Sequence, residues 1–204
     1  MAKTGLRLSK KIPRQMETGM TGKDNQMTGA EIVLRALKDN GVEHIFGYPG
    51  GAVLPIYDEI FQQEEIQHIL VRHEQGAGHA AEGYARSTGK VGVLLVTSGP
   101  GATNASAGLH VARQDSIPMI LFIGQVQRDA REREAFQEVE YRRAFTEFAK
   151  WVGEIDDARR IPEFVTRAFA IATSGRPGPV VLTLPEDMLV DEVDAPEAKP
   201  YMPV

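Results

Sequence analysis

The sequence predicts an α/β protein: an open, mostly parallel six-stranded sheet with helices on both faces. Three observations support this. Short apolar runs recur at 44–48, 66–71, 91–96, 118–123, 149–155 and 179–184, each of strand length. Segments with helix-forming character separate them, and strict alternation of the two implies parallel strands with crossover helices. Gly- and Pro-rich loops follow three of the presumed strands, at the end where open parallel sheets bind ligands.

The elements follow in order. Thr28-Gly29-Ala30-Glu31 has the form of a capping box, in which Thr and Glu each satisfy the other's free backbone N–H. It opens a helix whose apolar face is Ile32, Val33, Leu34 and Leu37, and Gly41 supplies its stop. Further helices are expected at 52–62, 74–88, 101–112, 133–147 and 157–174. Around the fourth of these, Glu132, Arg133, Glu134 and the Arg142-Arg143 pair read as a solvated helix face. No internal repeat or low-complexity tract interrupts the pattern.

The domain occupies 27–190. Residues 1–26 carry Lys3, Arg7, Lys10, Lys11, Arg14 and Lys23 against Glu17 and Asp24, with few apolar residues, and read as a flexible basic tail. Residues 191–204 are acidic and proline-bearing, and read as a linker leading towards further domains. The 204 residues carry a net charge of −5, which disfavours a nucleic-acid partner. There is no cysteine, hence no disulfide framework or thiol chemistry. No apolar run has membrane-spanning length, and no secretory signal is visible, so a cytoplasmic protein without a membrane partner is expected.

The segment from Arg72 to Arg86 holds the most chemical information. It places Glu74 where a strand gives way to a helix, with Gly76, Ala77, Gly78, Ala80 and Ala81 following. Residues this small leave room for a ligand beside the carboxylate. Glu74 could equally complement the positive end of a helix dipole. His73 and His79 read as packed or surface residues, and Glu82 as structural. The loops Gly47-Tyr48-Pro49-Gly50-Gly51-Ala52, Thr97-Ser98-Gly99-Pro100-Gly101-Ala102-Thr103-Asn104 and Gly124-Gln125-Val126-Gln127 would line a wall close to it. As a dinucleotide fingerprint the second loop fails, because Asn104 stands where the third Gly belongs. Together with Glu74, these loops point to a site.

These same segments, with Asp115-Ser116-Ile117-Pro118, Ala135-Phe136-Gln137-Glu138 and Ser174-Gly175-Arg176-Pro177-Gly178-Pro179-Val180, closely resemble the catalytic subunits of acetolactate synthases. The resemblance covers roughly 165 residues and falls on the N-terminal, pyrimidine-binding domain of these thiamine diphosphate-dependent enzymes. It implies a transferase of branched-chain amino-acid biosynthesis, decarboxylating pyruvate and joining the remainder to a second 2-keto acid. It assigns Glu74 to the aminopyrimidine of the cofactor, favouring the imino tautomer that acts as base. It makes Gly50, Gly51, Pro100, Gly101 and Asn104 cofactor-binding residues, and brings Ala52, Phe136, Gln137 and Lys150 close to substrate. Phe136 could also be plain core.

The resemblance further implies Mg2+, held through a Gly-Asp-Gly motif that these residues lack, and in many members FAD, contacted through a middle domain. No metal ligands are therefore expected in this chain. It implies a homo-dimer or tetramer, with a regulatory subunit as a further partner. The chain by itself is expected to be a fragment, inactive and weak in cofactor binding, and able to dimerise through the small residues after Glu74. From Asn104 onward the text departs from the acetolactate synthase pattern, notably at Gln127–Glu134. Two alternatives stay open: the same domain of another thiamine-dependent 2-keto acid decarboxylase or carboligase, and a stand-alone, non-catalytic binding module.

Overall fold

The computed structural model describes residues 25–194; residues 1–24 of the basic tail and most of the acidic linker lie outside the described residues. Six parallel strands form the sheet: β2 (His44–Gly47), β3 (Gln67–Leu70), β4 (Gly92–Val96), β5 (Met119–Gln125), β6 (Trp151–Glu154) and β7 (Pro179–Pro185). Their spatial order is β3-β2-β4-β5-β7-β6. A separate antiparallel pair joins β1 (Gln26–Thr28) to β8 (Glu192–Asp194). Residues 192–194, read above as linker, are thus ordered against the start of the domain.

The helices are α1 (Gly29–Asp39), α2 (Leu54–Phe61), α3 (Glu74–Thr88), α4 (Pro100–Asp115), α5 (Tyr141–Phe145) and α6 (Ile161–Thr173). Alternation along the central strands divides the core in two. Val93, Leu95, Ile120, Phe122, Val180 and Leu182 face α1, α2 and α6. Leu94, Val96, Leu121, Ile123 and Val181 face α3, α4 and α5. Strands buried on both faces read as unbroken apolar runs, which is why the sequence marked them.

The capping box forms as predicted: Glu31 N–H donates to Thr28 Oγ1 at 3.2 Å, and Thr28 N–H to Glu31 Oε2 at 2.6 Å. We expect Thr28→Ala to lower stability by about 1 kcal/mol, the usual cost of losing such a cap, as read by urea unfolding.

One predicted element is corrected. Helix 133–147 does not form; only Tyr141–Phe145 are helical, after a long irregular segment. Within that segment Glu132, Glu134 and Gln137 have left-handed backbones, at φ 60°, 55° and 63°. The Glu138 carboxylate gathers the N–H groups of Glu132 (2.5 Å) and Ala135 (2.9 Å), competing with helical hydrogen bonds. Those backbone bonds hold its carboxyl below the usual range. Ion pairs from Arg131 to Glu154 and from Arg128 to Asp187 and Asp191 draw the segment over the ends of β6 and β7. The charges at 132–134 and 142–143 are exposed, as expected, though only the second pair is on a helix.

The small residues after Glu74 serve α3 within its own chain. Gly78 lies against Gly108 of α4, and a Cβ at Gly108 would stand 2.6 Å from the Gly78 backbone. Ala77 and Ala81 are fully buried. Part of the close packing these small residues permit is thus made between α3 and α4, while Gly76 stays exposed with open space beside it.

Candidate active site

β2 and β4 are neighbours, yet the chain leaves β2 for β3 on one side and β4 for β5 on the other. The loops after β2 and β4 diverge at such a switch point, and the crevice between them is where open α/β sheets take ligands. Three of the predicted loops meet here. Gly50 packs on Thr97, its would-be Cβ 2.5 Å from the Thr97 side chain, so only glycine lets the two loops touch. Ala52 is buried against Gly124 at the end of β5. Gly51 is exposed, with open space where a side chain would stand.

Glu74 is the first residue of α3 and is half-buried. Asn104, one turn into α4, donates its side-chain N–H to Glu74 Oε2 at 3.0 Å. That contact explains Asn where a dinucleotide fingerprint would have glycine. Glu74 Oε1 lies 3.5 Å from the position a Cβ would take on Gly101, and Thr97 backs the same spot. Pro100 is exposed at the start of α4. His73 caps α3 by accepting from Gln75 N–H at 3.2 Å. His73 and His79 are exposed, and Glu82 is buried in an ion pair with Arg86. These three belong to the scaffold.

Gln137 reaches the cluster from the other side. Ser98 Oγ donates to its Oε1 at 3.2 Å, and its Cβ would stand 2.7 Å from a Cβ on Gly99. Gly99 has φ +56° and tolerates both the conformation and the contact because it has no side chain. Phe136 is 86% exposed beside this contact, which rules out a core role in the domain.

Lys150 is the exception. It precedes β6, at the amino end of the sheet, and its Nζ donates to the carbonyls of Ile171 and of Ser174 (2.7 Å). Burial, with the charge of Arg113, holds its ammonium below the usual lysine range. The parallel sheet separates it from Glu74, so within one chain Lys150 joins the α6 terminus and not the site.

Two residues were not singled out by the sequence. Thr97 Oγ1 is buried in the crevice without a hydrogen-bond partner. Tyr141, 1% exposed, accepts the Gly99 N–H at 2.8 Å, and burial pushes its phenol up to about 12. Thr97 was visible inside the Gly-rich loop, but nothing local shows that its hydroxyl is left unpaired. Tyr141 fell inside a helix the sequence misjudged.

The arrangement can present one fixed carboxylate oxygen and one freer oxygen to a polar planar ring. Buried hydroxyls normally have a partner, and Thr97 Oγ1 has none among the described residues. Among the described residues no group of three or more His, Asp or Glu could hold a metal ion.

Comparison with known proteins finds relatives along most of this chain. Acetolactate synthase of Arthrospira platensis is 50% identical over 182 residues, covering 88% of this chain and 30% of that protein. The acetolactate synthase large subunit of Lactococcus lactis is 52% identical over 166 residues, 81% of this chain and 29% of that protein. The isozyme 3 large subunit of Escherichia coli is 50% identical over 163 residues, 80% and 28% respectively. The chain spans about 30% of the length of these curated relatives. Residues 27–144, which contain Glu74, Thr97 and Asn104, match the family model described as thiamine pyrophosphate enzyme, N-terminal TPP binding domain, and the chain belongs to that family.

Proposed function

We propose that this chain is the pyrimidine-binding part of an acetolactate synthase, a cytoplasmic enzyme that converts pyruvate and a second 2-keto acid into an acetohydroxy acid. One observation carries the reading: a carboxylate fixed by Asn104 at the sheet's switch point, in a chain half identical to acetolactate synthase large subunits. Glu74 Oε1 is the oxygen available to share a proton with a ring nitrogen. Asn104 holds Oε2 and so fixes the carboxylate's orientation. Gly50, Gly51 and Gly101 keep the wall free of side chains. Thiamine diphosphate, when bound, supplies the carbon nucleophile that attacks the 2-keto acid and accepts the electrons left by decarboxylation.

Phe136 and Gln137 stand at the rim, where substrate would pass. The diphosphate and its Mg2+ need ligands that the sequence lacks, since it contains no Gly-Asp-Gly. Those ligands, any FAD contact, and assembly as a homo-oligomer with a regulatory subunit belong in this reading to the rest of the enzyme. The relatives' designation as large subunits supports a second type of subunit.

Two measurements test this. Titration calorimetry of the 204-residue chain with thiamine diphosphate and Mg2+ should give weak or no binding; micromolar affinity would overturn the division of the site. Incubating the whole enzyme with pyruvate should yield acetolactate. Acetaldehyde without acetolactate would instead assign the domain to a simple decarboxylase.

A further inference from the structure

Asn104 orients Glu74 only as well as α4 is itself held, and the start of α4 lacks the usual support. Its N-cap is Gly99, which has no side chain to cap the helix, at φ 56° and ψ −116°. The Gly99 N–H is buried, and it donates to the phenol oxygen of Tyr141, 42 residues away in sequence. Tyr141 is fixed in turn: it is 1% exposed and packs on Phe145 with ring centroids 6.1 Å apart. The same segment touches the loop a second time, where Gln137 accepts from Ser98 and its Cβ lies 2.7 Å from the position a Cβ would take on Gly99. From Gly99 the chain runs directly through Gly101, which backs Glu74 Oε1, to Asn104, which holds Oε2.

We propose that Tyr141 is a positioning residue for Glu74, acting through the Gly99 N–H and the first turn of α4. This rests on the thiamine-site reading only for its functional consequence; the mechanical coupling stands without it. A buried phenol fits the task. It remains protonated at neutral pH, so its oxygen accepts the amide hydrogen bond without introducing a buried charge. Phenylalanine would keep the ring and its packing but leave a buried N–H unpaired.

The test is Tyr141→Phe in the 204-residue chain, followed by NMR. The Gly99 amide should exchange with solvent about 10-fold faster or more, as expected for an opened local hydrogen bond. The Asn104 side-chain amide protons should move towards random-coil shifts, and the Glu74 carboxyl carbon should shift with them. Ser98→Ala, which removes only the neighbouring contact with Gln137, should leave Asn104 and Glu74 unchanged. The proposal is overturned if Gly99 is freed while Asn104 and Glu74 stay as in the parent chain. It is equally overturned if Ser98→Ala disturbs them as much as Tyr141→Phe.

Should Tyr141→Phe fail to fold, 3-fluorotyrosine placed at 141 preserves the shape and weakens the oxygen as an acceptor. The Gly99 and Asn104 resonances should then move together, and movement of Gly99 alone would overturn the coupling. In the whole enzyme, Tyr141→Phe should raise the thiamine diphosphate concentration for half-activation about 10-fold, a loss comparable to one hydrogen bond. A merely structural role would reduce the yield of active enzyme and leave that concentration unmoved. Insensitivity of cofactor activation to Glu74→Gln would refute the thiamine reading and leave the NMR coupling intact.

Discussion

Glu74→Gln in the whole enzyme should lower kcat by about 10²–10⁴-fold, the range over which a positioned proton-transfer group acts. The substitution is nearly isosteric, and an amide can still accept the N–H that Asn104 donates to Oε2. It loses the carboxylate's ability to exchange a proton at Oε1, the oxygen facing Gly101. The fold should therefore survive while proton transfer fails. Glu74→Asp makes the geometric counterpart: it keeps the acid but draws it back by one methylene, away from Asn104. An intermediate loss is expected there, because misplacement alone is costly for a proton-transfer group. The measurement is steady-state turnover at saturating thiamine diphosphate, paired with urea unfolding of the 204-residue chain. Turnover of Glu74→Gln within 5-fold of the parent would reduce Glu74 to a helix-dipole partner, the alternative its place at the start of α3 always allowed.

Gly108→Val should carry the largest stability cost of any single substitution considered, about 3 kcal/mol or more. A Cβ at 108 would lie 2.6 Å from the Cα and carbonyl carbon of Gly78, and backbone cannot rotate aside as a long side chain can. Relief requires α3 and α4 to separate, which also parts Glu74 from Asn104. Gly83→Ala is the matched control on α3. Gly83 is exposed with nothing near its would-be Cβ, so the variant should gain up to about 1 kcal/mol from helix propensity and reduced freedom of the unfolded chain. Urea unfolding of both variants decides the matter. Equal, small effects would mean that the α3–α4 contact is not tight in solution.

Much of this molecule is legible in the linear text because its information is local. The capping box at Thr28–Glu31 needs only neighbours three residues apart, and it formed as read. The central strands are buried on both faces, so they announce themselves as apolar runs regardless of their partners. Glu74 was conspicuous because a charged residue followed by five small ones has no obvious reason in a plain helix. The loops around the crevice were marked by Gly and Pro, residues with strong backbone constraints of their own.

The failures share one cause, which is distance along the chain. Segment 133–147 has helical composition, but the ion pairs of Arg128 with Asp187 and Asp191 and of Arg131 with Glu154 hold it in a different path. Lys150 resembled a site residue by position in the text, yet a parallel sheet has two ends and β6 begins at the wrong one. Glu192–Asp194 looked like linker because a single Val between two acidic residues is too short a strand signal until β1 lies alongside.

The sequence by itself determined the fold class, the order of the central elements, and the carboxylate and glycine loops of the candidate site, because burial on both sheet faces and tight turns restrict residue type one position at a time. Only the tertiary structure decided which oxygen of Glu74 is held, that Thr97 is left unpaired, and that Tyr141 anchors Gly99. Those contacts join residues 30 to 42 positions apart, and no local preference encodes where two distant surfaces will meet.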